Sequence, residues 1–574
     1  MKTLKYPIAV AALALFGVAS ASAADYVYGN TTNASNTMND SRNWFEVSSF
    51  EGLTGYEGLT RLSETNTKFA PGATDNLLVK NFNMSDLIGE YYQPADALLS
   101  DSGSVYNMRS QSFGFQATPD GANLFEVNNL TFSVDHNYVL NENPRTAAQN
   151  ANIELNFHWR PQGTDGNVKI NGTFTLEKSS KLTIQGDSAT AGKWNVIDIG
   201  HLVMSTSGAG ARSQLNMTSY IKEIRIGVTK NDVTGEYTAN GTNSVVGNGS
   251  WLQTAVTDNY GADMYIGNLV MEANTRTDIK GVIAHMIGNV VVNGEMLMMH
   301  HNGTGIVGDM TIGTTGTLSM RLGTYNGTLT NNGAFNMNHN ENPHMLAAFD
   351  GHLINNGTFN FGRGTFTGTI ENTKNLNLKR GDAALPVAVM TADVINSSSM
   401  AVSTDVQFYG SIQANSGSTT TFAGTSKGDI TGKRLFFNNA TISVSETAKL
   451  TIFNSELRYN LATGNPSLLL FAAITNIDAL SDIFETDFKF MNISEGKFDL
   501  IKFLDGNMYS SLADLIGDTF EYKDLVTYDL YEGTFVEDTS GVFSIVFVLI
   551  PEPSTYAAIF GLLALALAVY RRRK

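Results

Sequence analysis

Asn332-Gly333-Ala334-Phe335-Asn336-Met337 and Asn356-Gly357-Thr358-Phe359-Asn360-Phe361 are one phrase written twice, about two dozen residues apart. In each, apolar side chains stand at every second position, the period of a strand with one buried face. The opening Asn-Gly supplies turn positions with positive φ at almost no steric cost. The theme recurs in Asn171-Gly172-Thr173-Phe174-Thr175-Leu176, Gly316-Thr317-Leu318-Ser319-Met320 and Asn326-Gly327-Thr328-Leu329-Thr330. It runs from about residue 120 to 465 without clear linkers, and the spacing from Gly294 to Gly316 again approaches two dozen. That length suits one coil of a parallel β-helix, where short strands stack rung on rung and each coil needs neighbours to bury its inner face. Antiparallel sandwiches joined by hairpins compete, because Asn-Gly is also the strongest two-residue hairpin signal. The unbroken run and the scarcity of Pro favour the solenoid. The sequence therefore predicts an all-β protein, a right-handed parallel β-helix with a cap at each end. Residues 120–465 would make roughly 14 coils and a rod of about 70 Å at ~4.8 Å per rung. The tracts Asn331-Asn332, Asn355-Asn356 and Asn438-Asn439 suit turns, and in a β-helix they also suit amide ladders along the stack.

Composition agrees with a chain of many turns. The 574 residues include 54 Gly and 56 Asn but only 11 Pro, and there is no Cys. The missing Cys excludes disulfides, thiolate zinc sites, iron–sulfur clusters and cysteine nucleophiles. A formal net charge of −17 argues against nucleic acid as a partner, since phosphate recognition needs a concentrated basic face. Residues 24–119 depart from the repeat and contain Asn43-Trp44-Phe45 and Ala70-Pro71-Gly72-Ala73-Thr74-Asp75-Asn76-Leu77-Leu78-Val79. A solenoid needs its first open rung covered, and this segment is the candidate N-terminal cap. Residues 466–550 carry 15 acids against four bases and only three Asn. Leu468–Phe471, Phe498–Phe503 and Phe543–Ile550 read as strands and Ser511–Ile516 as a short helix, which together make the candidate C-terminal cap.

The two ends read as addresses. Lys2 and Lys5, the apolar stretch Ile8–Ala19 and the small residues Ala21-Ser22-Ala23 form a signal peptide over residues 1–23, with cleavage after Ala23. At the other end, residues 551–574 hold Pro551-Glu552-Pro553-Ser554-Thr555, an uncharged apolar run from Tyr556 to Tyr570, and Arg571-Arg572-Arg573-Lys574. As a helix the apolar run reaches only ~22 Å, short of a ~30 Å hydrocarbon core, which makes it a marginal transmembrane span. The basic cluster should stay cytoplasmic and leave the bulk of the chain outside. Without both ends, 53 acids face 31 bases, which favours solubility and repels anionic polymers.

This tail resembles the PEP-CTERM sorting signal of diderm bacteria, with motif, short membrane helix and arginine cluster in order at the extreme end. The resemblance covers about the last two dozen residues. It implies an inner-membrane intermediate, processing by an exosortase-type protease, and delivery to the cell surface, outer membrane or extracellular matrix. The secretion translocon and signal peptidase would be earlier partners. The Trp44 and Pro71–Val79 segment resembles the opening of autotransporter-like β-helix passengers.

No catalytic motif stands out: there is no Gly-x-Ser-x-Gly elbow, phosphate loop or His-Glu-x-x-His pair. His300 and His301 would point to opposite faces of a strand, which suits a metal poorly. Thr164-Asp165-Gly166-Asn167 reads as an ordinary turn rather than a calcium site. A polysaccharide lyase or hydrolase would need clustered carboxylates with Arg or Lys on consecutive coils. Between residues 290 and 370 only Glu295, Asp309, Arg321, Glu341, Asp350 and Arg363 stand out, with no repeat spacing. The expectation is a non-enzymatic surface or matrix protein without cofactor, with extracellular polysaccharide as a candidate partner. A secreted carbohydrate-active β-helix enzyme is the alternative.

Overall fold

The protein is described by a computed structural model covering residues 23–28, 41–53, 58–65, 67, 69, 71–81, 105–108, 116–117, 123–134, 139–140, 143–144, 154–159, 165–177, 180–186, 192–205, 213–256, 262–299, 304–337, 347–379, 388–403, 406–408, 411–423, 434–437, 442–444, 449–453, 456–461, 469–471, 488–508, 510–537, 541–550 and 553–573. Its described strands fall mainly into one sheet of 32 strands and one of 14. The smaller sheet takes one strand per coil, from Val105–Met108 to Lys449–Phe453, and every pairing within it is parallel. The larger sheet carries two strand positions per coil. Where the corner between those positions is shallow, one strand runs through both: Gly323–Asn331 pairs in parallel with Ala347–Asn355 along its whole length. Each coil thus contributes three strands, and the repeating part is a three-sided parallel β-helix. Fourteen stacked strands in the smaller sheet extend over about 60 Å at ~4.8 Å per rung.

The period-two pattern works as the sequence implies. Phe335, Met337, Phe359, Phe361, Leu376 and Leu378 point inward and are buried, while Asn336, Asn360 and Asn377 stand between them on the outer face. One hydrophobic core runs the length of the molecule, from Tyr28 to Phe547. Its filling changes along the axis: methionines such as Met264, Met286, Met296 and Met320 give way to stacked rings. Tyr325, Phe349 and Phe366 stack at 5.0 and 4.4 Å on three successive coils, and Phe335 stacks on Phe359 at 4.7 Å.

Two details refine the sequence reading. Asn331, Asn355, Asn372 and Asn396 occupy one corner in four successive coils at separations of 24, 17 and 24 residues. The bare coil is therefore shorter than two dozen, and the additional residues lie between Met337 and Ala347 and between Lys379 and Ala388. Asn-Gly also has two uses. Asn332-Gly333 and Asn356-Gly357 are corners between strands, whereas Asn326-Gly327 lies inside the strand Gly323–Asn331, where the chain turns from one side to the next. Gly327, Gly351 and Gly368 stack in register there. A Cβ on Gly351 would stand 2.2 Å from the Gly327 carbonyl oxygen, so close backbone approach selects glycine at this corner.

The corner asparagines form the amide ladder. Each of Asn331, Asn355 and Asn372 donates from Nδ2 to Oδ1 of the next, at 2.7, 2.7 and 2.8 Å, and Asn396 donates to Thr420 Oγ1 at 2.9 Å. Their second N–H groups donate to the carbonyls of Thr358, Asn375, Ser399 and Thr419 at 2.9–3.1 Å. All four side chains are buried. Asn438-Asn439 lies outside the described residues.

Antiparallel pairing closes both ends. Asp25–Tyr28 continues the parallel stack through Asn76–Asn81 and Asn129–Val134, but takes Trp44–Val47 antiparallel on its other edge. Trp44 is buried against Phe69, with ring centroids 4.5 Å apart. At the far end, Gly496–Phe503 pairs in parallel with Leu469–Phe471 and antiparallel with Val542–Leu549. Leu530–Glu537 and Thr519–Lys523 complete an antiparallel meander, preceded by the short helix Ser510–Ala513. The chain ends in the helix Pro553–Arg572, 20 residues long, with Arg571 and Arg572 in its last turn and Ile559 to Arg573 exposed. Among the described residues, no helix is long and apolar enough to cross a membrane.

Candidate functional site

One outer face gathers charged and aromatic side chains from six coils. On strands reading Val168-Lys169-Ile170, Ile197-Asp198-Ile199, Ile224-Arg225-Ile226, Met264-Tyr265-Ile266 and Ala284-His285-Met286, the flanking residues enter the core and the middle one faces out. Parallel pairing places them in one column: Glu126, Lys169, Asp198, Arg225, Tyr265 and His285 are successive partners. The first four alternate in sign. Lys169 Nζ lies 3.0 Å from Glu126, and Arg225 lies 3.2 Å from Asp198. Arg225 Nε also donates to Glu223 two residues away at 2.5 Å.

A hairpin formed by Val228–Lys230 and Tyr237–Ala239 lies beside this column. The Tyr237 hydroxyl donates to Glu223 Oε1 at 2.5 Å. Its ring stacks on Tyr265 at 3.6 Å, and Tyr265 stacks on His285 at 4.7 Å. The cations of Arg225 and Lys230 stand 5.6 and 5.2 Å from the Tyr237 ring centre. His285 Nε2 meets Asp263 at 3.0 Å.

The electrostatics of the two central acids diverge. Burial pushes the Asp198 carboxyl above its ordinary range, with the Arg225 charge and hydrogen bond holding it back. Burial pushes Glu223 the same way, but the Tyr237 hydroxyl, Arg225 and Lys230 together outweigh it and hold that carboxyl below its usual value. Tyr237 is pushed up to about 12 by burial and then by the Glu223 carboxylate that it faces. Tyr265 is also pushed up to about 12, by burial and then by Asp263. The arrangement can fix the register of adjacent coils and offer a mixed charged and aromatic surface to a polar polymer.

The residues singled out between 290 and 370 do not converge. Asp309 accepts the Thr328 N–H at 2.7 Å, Asp350 accepts the Thr367 hydroxyl at 2.8 Å, and Arg363 is buried. Glu341, His300 and His301 lie outside the described residues. Asp165 immediately precedes the strand Gly166–Leu176 and meets Lys193 Nζ at 3.8 Å, so Gly166 and Asn167 are paired strand residues rather than a turn, while Thr164 is outside the described residues. Among the described residues no group of His, Asp or Glu could hold a metal ion. Of the terminal residues expected to act as signals, Ala23 is described and exposed; Pro553, Ser554 and Thr555 begin the final helix, which Arg571 and Arg572 close. Arg573 donates its N–H to the carbonyls of Val569 and Tyr570 at 3.2 Å. Ala21, Pro551, Glu552 and Lys574 lie outside the described residues. The charged column is not legible as a spacing, because its members stand at unequal separations and only the pairing of coils aligns them. Its signal is a charged or aromatic residue held between two aliphatic ones, repeated from Lys169 to His285.

No family model and no curated protein matches the chain. A solved structure that aligns with it is the crystal structure of the Haemophilus influenzae Hap adhesin, at 11% identity and a TM-score of 0.21, covering 92% of this chain and 71% of that one. A likeness at that score carries nothing about function.

Proposed function

We propose that the chain is an exported, non-enzymatic β-helical passenger of the cell surface or extracellular matrix of a diderm bacterium. The observation that carries this reading is the charged column itself. Lys169 pairs with Glu126 and Arg225 with Asp198 across coils, while Arg225 also holds Glu223 on its own strand, so these charges fix register and leave a rigid, capped rod as the product. Such a rod suits display and adhesion, with extracellular polysaccharide as the partner class. The terminal segments serve as addresses: Ala21 and Ala23 for signal peptidase after passage through the translocon, and Pro551–Thr555 for an exosortase-type protease. The helix and its basic end hold the chain transiently at the inner membrane.

The second reading, a carbohydrate-active enzyme, is favoured by one feature. Asp198 and Glu223 are displaced in opposite directions around a shared arginine, the pattern that separates a general acid from a base. Incubation with a panel of neutral and anionic polysaccharides distinguishes the two. Binding without turnover is the expected result. Cleavage of any polymer that disappears in Glu223→Gln would replace the passenger reading with the enzymatic one.

A further inference from the structure

The C-terminal cap exposes an apolar patch at the end from which the chain departs. Val526, Tyr528, Leu530, Val548 and Leu549 are 52, 67, 40, 54 and 42% exposed. Pairing brings them to one end of the meander. Tyr531 faces Leu549 across the last two strands, the Ile550 N–H donates to the Leu530 carbonyl at 2.9 Å, and the turn carrying Val526 and Tyr528 leads into the same strand. That turn is built firmly. Buried Asp524 accepts the N–H groups of Val526 at 2.6 Å and Thr527 at 2.8 Å, and Tyr528 takes a positive φ of 65°. The patch is therefore presented rather than frayed.

We infer that this end of the cap rests on the lipid surface of the membrane into which the final helix inserts. The inference rests on the proposed membrane role of that helix. Continuity is the first argument: Pro553 begins the helix shortly after Ile550, and its side chains Ile559, Phe560, Leu562, Leu563, Leu565 and Leu567 are exposed apolar groups. Any bilayer that takes the helix thus has the patch as its nearest folded neighbour. Composition is the second. Tyr528 and the aliphatic residues around it form an amphipathic set suited to an interface, where rings sit at headgroup depth. A second copy is disfavoured as occupant, because residues 466–550 hold 15 acids against four bases, and a stable dimer needs about 800 Å² per partner, more than five side chains supply. The same acids make a zwitterionic surface the better partner than an anionic one.

The absence of cysteine makes the test direct. Full-length single-cysteine variants Tyr528→Cys, Leu549→Cys, Val233→Cys and Phe560→Cys are labelled with a fluorophore and reconstituted in phosphatidylcholine vesicles containing nitroxide-labelled lipid. Val233, 94% exposed on the hairpin, reports a site distant from the chain exit. Quenching at 528 and 549 should be at least about twofold greater than at 233, as for groups seated in the interface. Quenching at 560 with none above the 233 level at 528 and 549 overturns the inference and leaves the membrane role of the helix standing. No quenching at 560 overturns both. A disulfide-linked dimer through Tyr528→Cys without lipid quenching puts a second copy on the patch and also overturns it.

Discussion

Asn355 is held between Asn331 and Asn372 with both of its N–H groups and its carbonyl oxygen engaged inside the core. Replacing it with Ala strands the Oδ1 of Asn372 and the carbonyl of Asn375 and takes an acceptor from Asn331. Buried polar groups left unpaired cost ~1–3 kcal/mol each, so Asn355→Ala should lose about 3 kcal/mol or more. Asn360 makes a comparable bond on the outer face, to Asn336 at 2.8 Å, where water can take over, and Asn360→Ala should lose under about 1 kcal/mol. Urea denaturation of the two variants checks the contrast; equal losses would mean that ladder position, not burial, sets the cost. The tyrosines of the charged column give a second residue-scale expectation. Tyr237 and Tyr265 are raised from 10.0 to about 12 by burial first and by neighbouring carboxylates second. A folded pKa above the unfolded one means that their contribution to stability is complete below pH 10 and is lost as pH rises through 12. Absorbance titration of folded protein should show a tyrosinate step near 12 that shrinks in Tyr237→Phe, while the amplitude near 10 is unchanged.

At the scale of single elements, the caps are where the fold is most exposed to failure. Asp524 sits fully buried and accepts N–H groups from Ile493, Val526 and Thr527, which ties the meander to the last parallel rung. Asp524→Ala should therefore raise amide exchange at Ile493, Val526 and Thr527 by about tenfold or more, with the central coils unaffected, since a solenoid's repeats feel mainly their neighbours. Uniform exchange increase along the whole helix would contradict that local role. Strand existence was legible because inward residues such as Phe335 and Phe359 alternate with polar ones, and the amide ladder followed from Asn331 and Asn355 recurring at one corner. Coil length was less legible. The separations of 24, 17 and 24 residues share one corner geometry, and sequence spacing counts residues between the paired strands as well as those within them. The dual use of Asn-Gly was hidden too: the same dipeptide makes a corner at Gly333 and a bend inside a strand at Gly327 because φ, not identity, distinguishes them.

The whole molecule explains why the charged column stayed out of sight. Asp198 and Arg225 are 27 residues apart, Asp263 and His285 22, and the hairpin carrying Tyr237 lengthens the path from Arg225 to Tyr265. No fixed period marks such a site; only the register of the coils brings it together. The ends behave differently, because the signals proposed for them are contiguous in sequence and would act independently of the fold. From Ile559 onward the side chains of the Pro553–Arg572 helix are exposed, and the described core closes at Phe547. Changing its charge should therefore alter destination without altering folding. The proposed hold at the membrane depends on an apolar run too short to anchor well and on a basic cluster that resists translocation, so Arg571, Arg572 and Arg573 matter more here than after a long span. Replacing all three with Ser removes the asymmetry and should reduce surface delivery several-fold, while circular dichroism stays β-rich and the urea midpoint is unchanged. Mass spectrometry of surface material from the native chain should find no peptide beyond the Pro551–Pro553 motif. Recovery of an intact Arg571–Arg573 terminus there would make the helix a lasting anchor, and an unchanged surface yield for the triple variant would remove the basic cluster from the mechanism altogether.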